Sequence, residues 1–180
     1  MDVQRVRQLA EYYRSAIIVA RDKGQLLTDF RFKRFPHGCC GDASDLLAEY
    51  LKRSGVDTIW VSSNREDWSH AWLVVKDDHI RIPAQRTVVW PTELCSTLRG
   101  YGVENPEGPI DVTRYEAEDL QQGLIIDITA DQFPDCSLPV YVGYLDPFHE
   151  SFEFREAHDY DGLNDPRMKS LYRIVGAYLK

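Results

Sequence analysis

Apolar residues recur at helical spacing from residue 3 to residue 22. Val3, Val6, Leu9, Ala10, Tyr13, Ala16, Ile17 and Ala20 fall along one stripe. Asp2 can cap the start, and Lys23-Gly24 suits the end. A second stripe, Ala43, Leu46, Leu47, Tyr50 and Leu51, predicts a helix from about Gly41 to Arg53, stopped by Ser54-Gly55. The period then changes. DTIWVSS (57–63) and SHAWLVV (69–75) are rich in β-branched and aromatic residues and read as strands, and the polar linker NREDW suits a hairpin. HIRIPAQRTVVW, near 80–90, alternates enough for one or two further strands, interrupted by Pro83. Strand signals return at GLIIDIT (123–129) and LPVYVGYL (138–145). The end, DPRMKSLYRIVGAYLK, reads as a helix with Asp165 as cap and Pro166 at its first position.

Residues 91–122 differ in character. Gly100, Gly102, Pro106, Gly108 and Pro109 break regular structure, and six carboxylates from Glu104 to Asp119 make the segment acidic. It reads as an excursion from the core, helical near 91–99 and 114–122. Helices ahead of a largely antiparallel sheet give an α+β class, and the short connections favour antiparallel pairing. The 180 residues suffice for one domain with a core of its own.

Charge narrows the partners. Lys and Arg number 21 against 29 Asp and Glu, a formal net charge of −8, which disfavours nucleic acid. The apolar run AIIVA (16–20) is too short for a signal-peptide core or a membrane span, so a cytoplasmic location with reduced cysteines is expected. Cys95 and Cys136 could pair in principle, but that compartment disfavours it. No metal site is expected: His37, Cys39, Cys40 and Asp42 crowd together without a CxxC or a matching second pair. No cofactor motif is present, since the glycines near 100–108 make no phosphate-binding pattern.

The chemistry centres on FPHGCCGDAS, residues 35–44. Cys40 stands where a helix begins, and a helix N-terminus favours thiolate. A nucleophilic thiol needs a base, and the base an orienting group. In SHAWLVV, His70, Trp72 and Val74 share a face; in GLIIDIT, Ile125, Asp127 and Thr129 share one. An acidic residue inside so apolar a strand requires a partner, and Asp127 behind His70 supplies one. Asp111 competes for that role, because PIDVTRY repeats the pattern, but its surroundings are less strand-like. Cys39 reads as a core or pocket-wall residue, and Cys95 and Cys136 as structural. Trp72 reads as core that could shield the His–Asp pair. Asp131 and Gln132 read as terminating the strand, with Gln132 also within reach of the site. Trp72 and Gln132 are the candidate substrate-binding residues. His149 and His158, in FHESFEFREAHDYDG, read as surface residues without a role.

FPHGCCGDAS, SHAWL and GLIIDITADQF, in this order, resemble the transglutaminase-like branch of the papain-like cysteine enzymes, and within it a group of bacterial proteins. The resemblance covers residues 35–75 and 123–133. It implies a papain-like/transglutaminase-like domain with Cys40 as nucleophile, His70 as base and Asp127 as orienter. It favours Cys40 over Cys39, because the family spacing places the nucleophile two residues after Gly38. The implied activity is cysteine-dependent acyl transfer at an amide of a protein or peptide substrate, by a peptidase, isopeptidase or glutamine deamidase. The alternatives are transglutaminase-type crosslinking to an amine and a binding module that keeps the fold. The gap from His70 to Asp127 is wider than in the family, so 79–122 reads as an insertion. No Gln stands just upstream of Cys40, where papain-like enzymes often place an oxyanion donor; Gln25 is a candidate.

Overall fold

Asp2 opens helix α1 (Val3–Asp22) by accepting the backbone N–H groups of Gln4 and Arg5, donors the first turn cannot satisfy internally. The computed structural model describes residues 2–78, 80, 85–88, 110–113 and 115–179. The expected helix at 91–99 and Cys95 lie outside them. Helix α2 (Cys40–Arg53) follows a loop. Strands β1 (Thr58–Arg65) and β2 (Trp68–Val75) form a hairpin turned by Glu66 and Asp67, tighter than the expected linker. Next come β3 (Gln85–Val88), β4 (Ile110–Thr113), α3 (Ala117–Leu120), β5 (Ile125–Asp127) and β6 (Tyr141–Gly143). The described chain closes with α4 (Pro147–Glu150), β7 (Glu153–Asp159) and α5 (Pro166–Gly176), which Asp165 caps and Pro166 begins.

The five-stranded sheet has the order β6-β5-β2-β1-β7, antiparallel throughout. The architecture is therefore α+β. Among the described residues, strands β3 and β4 pair only with each other, in a two-stranded ribbon. Asp111 is paired with Thr87 in that ribbon, whereas Asp127 ends the strand beside β2.

Alternation along the strands gives the sheet two apolar faces. Leu73, Val75, Ile126 and Val142 pack against Ala10 and Ile17 of α1, Leu46 and Leu47 of α2, and Leu171 of α5. Burying each such leucine contributes roughly 2 kcal/mol. On the other face Ile59, Val61, Trp72, Val74 and Ile125 meet Leu120, Phe133 and Phe152. Gly123 lets the chain enter β5 here, since a Cβ would stand 2.3 Å from Val74 Cγ1.

Two features depart from the sequence pattern. Strands β5 and β6 have three residues each, well short of 123–129 and 138–145. A turn ends β5: Asp127 Oδ1 accepts the Thr129 N–H at 2.8 Å and its hydroxyl at 3.1 Å. Strand β7 has weak alternation because the pairing slips opposite Ser62 and Ser63, which adds Arg155 on its side. Phe154 and Ala157, three apart, then meet the same cluster, and an exposed, charged edge strand shows little periodicity.

Arg14 ties this frame to the residues of interest. Buried on α1, it donates to the Ile128 carbonyl and to both Asp131 oxygens, at 3.1 and 2.6 Å. Its guanidinium also lies 5.0 Å from the centre of the Phe35 ring. One side chain thus holds the turn after Asp127 and the loop before Cys40. Arg14→Met keeps the bulk and leaves Asp131 without its counter-charge. Urea unfolding should show a loss of about 3 kcal/mol. A loss below about 1 kcal/mol, the range of exposed pairs, would show that the clamp is a surface contact in energetic terms.

Candidate active site

Helix α2 begins one residue earlier than its apolar stripe suggests. Cys39 is the N-cap and makes no capping hydrogen bond through its side chain, and Cys40 is the first helical residue. Gly38, at φ +69°, supplies the left-handed turn that leads into the helix. Asp42 in the first turn would oppose a thiolate, but Arg31 binds one of its oxygens at 2.9 Å and Arg167 the other at 2.8 Å. Arg167 also grips Asp29, at 2.8 and 3.0 Å, which anchors the helix start to α5.

The adjacent cysteines have opposite environments. Cys39 is buried, with its thiol 3.3 Å from the Pro36 carbonyl. Burial, and then the neighbouring Cys40 and Asp42, push its pKa up to about 12. Cys40 is half-buried. Burial would raise its pKa too, but a hydrogen bond with His70, that ring's charge, and the backbone N–H groups of Ala71 and Gly41 outweigh burial and lower it. The thiol's contact with the Ser69 carbonyl is long, at 4.0 Å.

His70 and Asp127 meet as their strand faces require. His70 Nε2 lies 2.6 Å from Asp127 Oδ2, and each residue is 1% exposed. Burial disfavours the charged ring, but the Asp127 charge and hydrogen bond, with help from Cys40, raise its pKa to about 9. Asp127 is held well below the usual carboxylate range: burial opposes this, and His70 and His149 overcome it. Trp72, Phe133 and Phe152 surround the imidazole, with ring centres 5.5, 4.9 and 5.3 Å away. These apolar walls exclude water, which strengthens the pair.

No protein-family model, curated protein or solved structure matches the chain. The geometry itself brings Cys40, His70 and Asp127 together. Gln132 joins them: its Nε2 is 3.3 Å from His70 Nδ1, and its Oε1 accepts the Gly38 N–H at 3.2 Å. Gln25 is exposed in the turn after α1. Trp72 is buried against His70 and lines a cavity of about 320 Å³ with Val61, Val74, Ile125, His149 and Phe152. Asp131 serves Arg14. Among the described residues no group of three or more His, Cys, Asp or Glu is arranged for a metal ion, and no helix is long and apolar enough to cross a membrane.

His149 corrects the sequence reading. His158 is exposed, stacked on Trp60, but His149 is 2% exposed. Its Nδ1 lies 2.6 Å from Asp146 Oδ1, and its Nε2 lies 3.4 Å from Asp127 Oδ2. The readable signal was Asp146-Pro147, a cap followed by a first-position proline. It predicts a helical turn whose third residue, His149, folds back toward its cap.

The two environments set the order of reactivity. A raised His70 pKa keeps the imidazolium charged through neutral pH, and that charge lowers the pKa of Cys40 while burial raises that of Cys39. Iodoacetamide at pH 7, followed by peptide mass spectrometry, should therefore modify Cys40 and spare Cys39. His70→Gln should slow Cys40 at least about tenfold, toward an ordinary thiol of pKa about 8.5. Equal rates for Cys39 and Cys40, or no effect of His70→Gln, would contradict the pairing.

Proposed function

We propose that the protein is a cysteine-dependent acyl-transfer enzyme of the transglutaminase-like or papain-like kind, acting at an amide of a protein or peptide substrate. The observation that carries this reading is the buried His70–Asp127 pair at 2.6 Å, whose imidazole lowers the pKa of Cys40 at the start of α2. A thiol used only for packing needs no charged imidazole beside it, and Cys39, at the same helix start, is raised by burial instead.

In this mechanism the Cys40 thiolate attacks the amide carbonyl carbon, forming a C–S bond and a tetrahedral oxyanion. The Cys40 backbone N–H, at a helix start without intrahelical partners, can donate to that oxygen. Collapse breaks the C–N bond, and the imidazolium of His70 gives its proton to the departing amine. A thioester remains on Cys40. His70 then takes a proton from the incoming water or amine, the new bond forms at the carbonyl, and the thiolate leaves. Asp127 keeps the imidazole turned throughout and stabilises its charged form before acylation and during deacylation. Water as acceptor gives hydrolysis or deamidation; an amine gives crosslinking.

Three assays separate these outcomes: ammonia release from glutamine peptides, peptide cleavage, and incorporation of a labelled amine. Cys40→Ala should abolish whichever activity is found, and His70→Gln should lower kcat/KM by roughly 10²–10⁴. Turnover that survives Cys40→Ala, with the fold intact by circular dichroism, would refute the proposal.

A further inference from the structure

We infer that Trp68 is a specificity-determining residue: its exposed indole receives an apolar, preferably aromatic, side chain of the substrate next to the amide that Cys40 attacks. This deepens the acyl-transfer reading and rests on it.

Trp68 opens β2, and burial along the strand changes abruptly behind it. Trp68 and Ser69 are exposed, and every residue from His70 to Val75 is buried. Alternation puts the indole on the same face as His70 and Trp72. The indole meets Phe133 at a steep angle, with ring centres 6.0 Å apart, and Phe133 in turn lies 4.9 Å from the His70 ring. Three rings thus lead from the buried base to solvent, and the indole, 60% exposed, is the outermost.

The nucleophile is equally near. Cys40 Sγ lies 4.0 Å from the carbonyl oxygen of Ser69, the residue between Trp68 and His70. Pairing with β5 ends at Leu73–Ile126, so among the described residues no strand covers Trp68 and Ser69 on that side. A peptide whose amide reaches Cys40 therefore runs beside this open edge, and a side chain next to that amide is within reach of the indole.

The frame holds the platform in place. Arg65, opposite Trp68 in register, turns its guanidinium onto Phe133, Phe148 and Phe152, 5.3, 5.6 and 4.5 Å from their ring centres. Asp135 binds it at 2.6 and 3.0 Å. Arg65 therefore fixes Phe133, the ring against which the indole rests. The Arg65–Asp135 pair also neutralises its own charges, which favours a neutral ring over a charged side chain as the partner of the indole. Single exposed apolar residues are common on protein surfaces and need no ligand. What distinguishes Trp68 is its place, two residues from the base and beside the nucleophile. There an aromatic partner gains from the area it buries and from ring stacking.

The test compares two neutral reagents, iodoacetamide and N-benzyl-iodoacetamide, from each of which the thiolate displaces iodide. Second-order rates at Cys40 of the full chain are followed at pH 7 by peptide mass spectrometry. The benzyl-to-plain ratio is then divided by the same ratio for glutathione. A change in the thiolate itself acts on both reagents alike and cancels, so a merely structural disturbance does not move this quotient. The wild type should favour the benzyl reagent by about tenfold. Trp68→Ala should bring the quotient to one, and Trp68→Phe should keep most of the preference. A wild-type quotient of one, or a preference that Trp68→Ala leaves intact, overturns the inference. Trp68 lies outside the core, so both variants should keep the wild-type circular dichroism spectrum. A Cys40 no faster than glutathione toward iodoacetamide, with the benzyl preference present and lost in Trp68→Ala, would refute the acyl-transfer reading alone. A fast Cys40 without the preference would refute this inference alone.

Discussion

One buried carboxylate organises the site. Asp127 is 1% exposed, and an isolated charge there would cost several kcal/mol. The fold offsets that cost from every side. Thr129 gives Oδ1 two donors, His70 approaches Oδ2 at 2.6 Å, and His149 approaches the same oxygen at 3.4 Å. These partners come from the turn after β5, from β2 and from α4, so satisfying one carboxylate fixes three segments relative to one another. Arg14 adds the fourth connection by holding Ile128 and Asp131, immediately beyond the turn, to α1.

The paired cysteines show how far environment, rather than residue type, sets reactivity. Cys39 and Cys40 are chain neighbours at one helix start, yet burial drives one thiol up to about 12 while His70 and two backbone donors bring the other down. The difference is direction. Cys39, at the cap, points into the core with Phe32 and Phe35, whereas Cys40, one residue later, points toward β2. Asp42 would erode the advantage, but Arg31 and Arg167 absorb its charge.

Much of the frame was legible in the sequence because it follows from periodicity. The stripe of α1, its Asp2 cap, the Asp165-Pro166 start of α5 and the shared face of His70, Trp72 and Val74 all need only local chemistry. What escaped the sequence depends on contacts between distant segments. Strand β7 pairs across a bulge that destroys its period of two. His149 looks like a surface residue in a polar stretch, and only the packing of α4 against Trp72 and Tyr141 buries it. Gln132 was readable as a residue near the site, but its amide direction depends on the Gly38 N–H, 94 residues away in sequence.

The shortness of β5 links these facts. Had the strand run to residue 129, as its apolar run suggests, its backbone would have paired with the start of β2. Pairing instead ends at Leu73–Ile126, and Ala71 loses its partner on that side. A buried backbone group must find another. The Ala71 carbonyl accepts the Ser44 hydroxyl at 3.2 Å, and its N–H turns to the Cys40 thiol. Both new partners lie on the first turns of α2, so the helix start occupies the gap that β5 leaves. What ends β5 is the turn in which Asp127 Oδ1 takes the Thr129 N–H. The carboxylate that orients His70 through one oxygen thus, through the other, frees the sheet donor that favours the thiolate. The two halves of the site are consequences of a single strand ending.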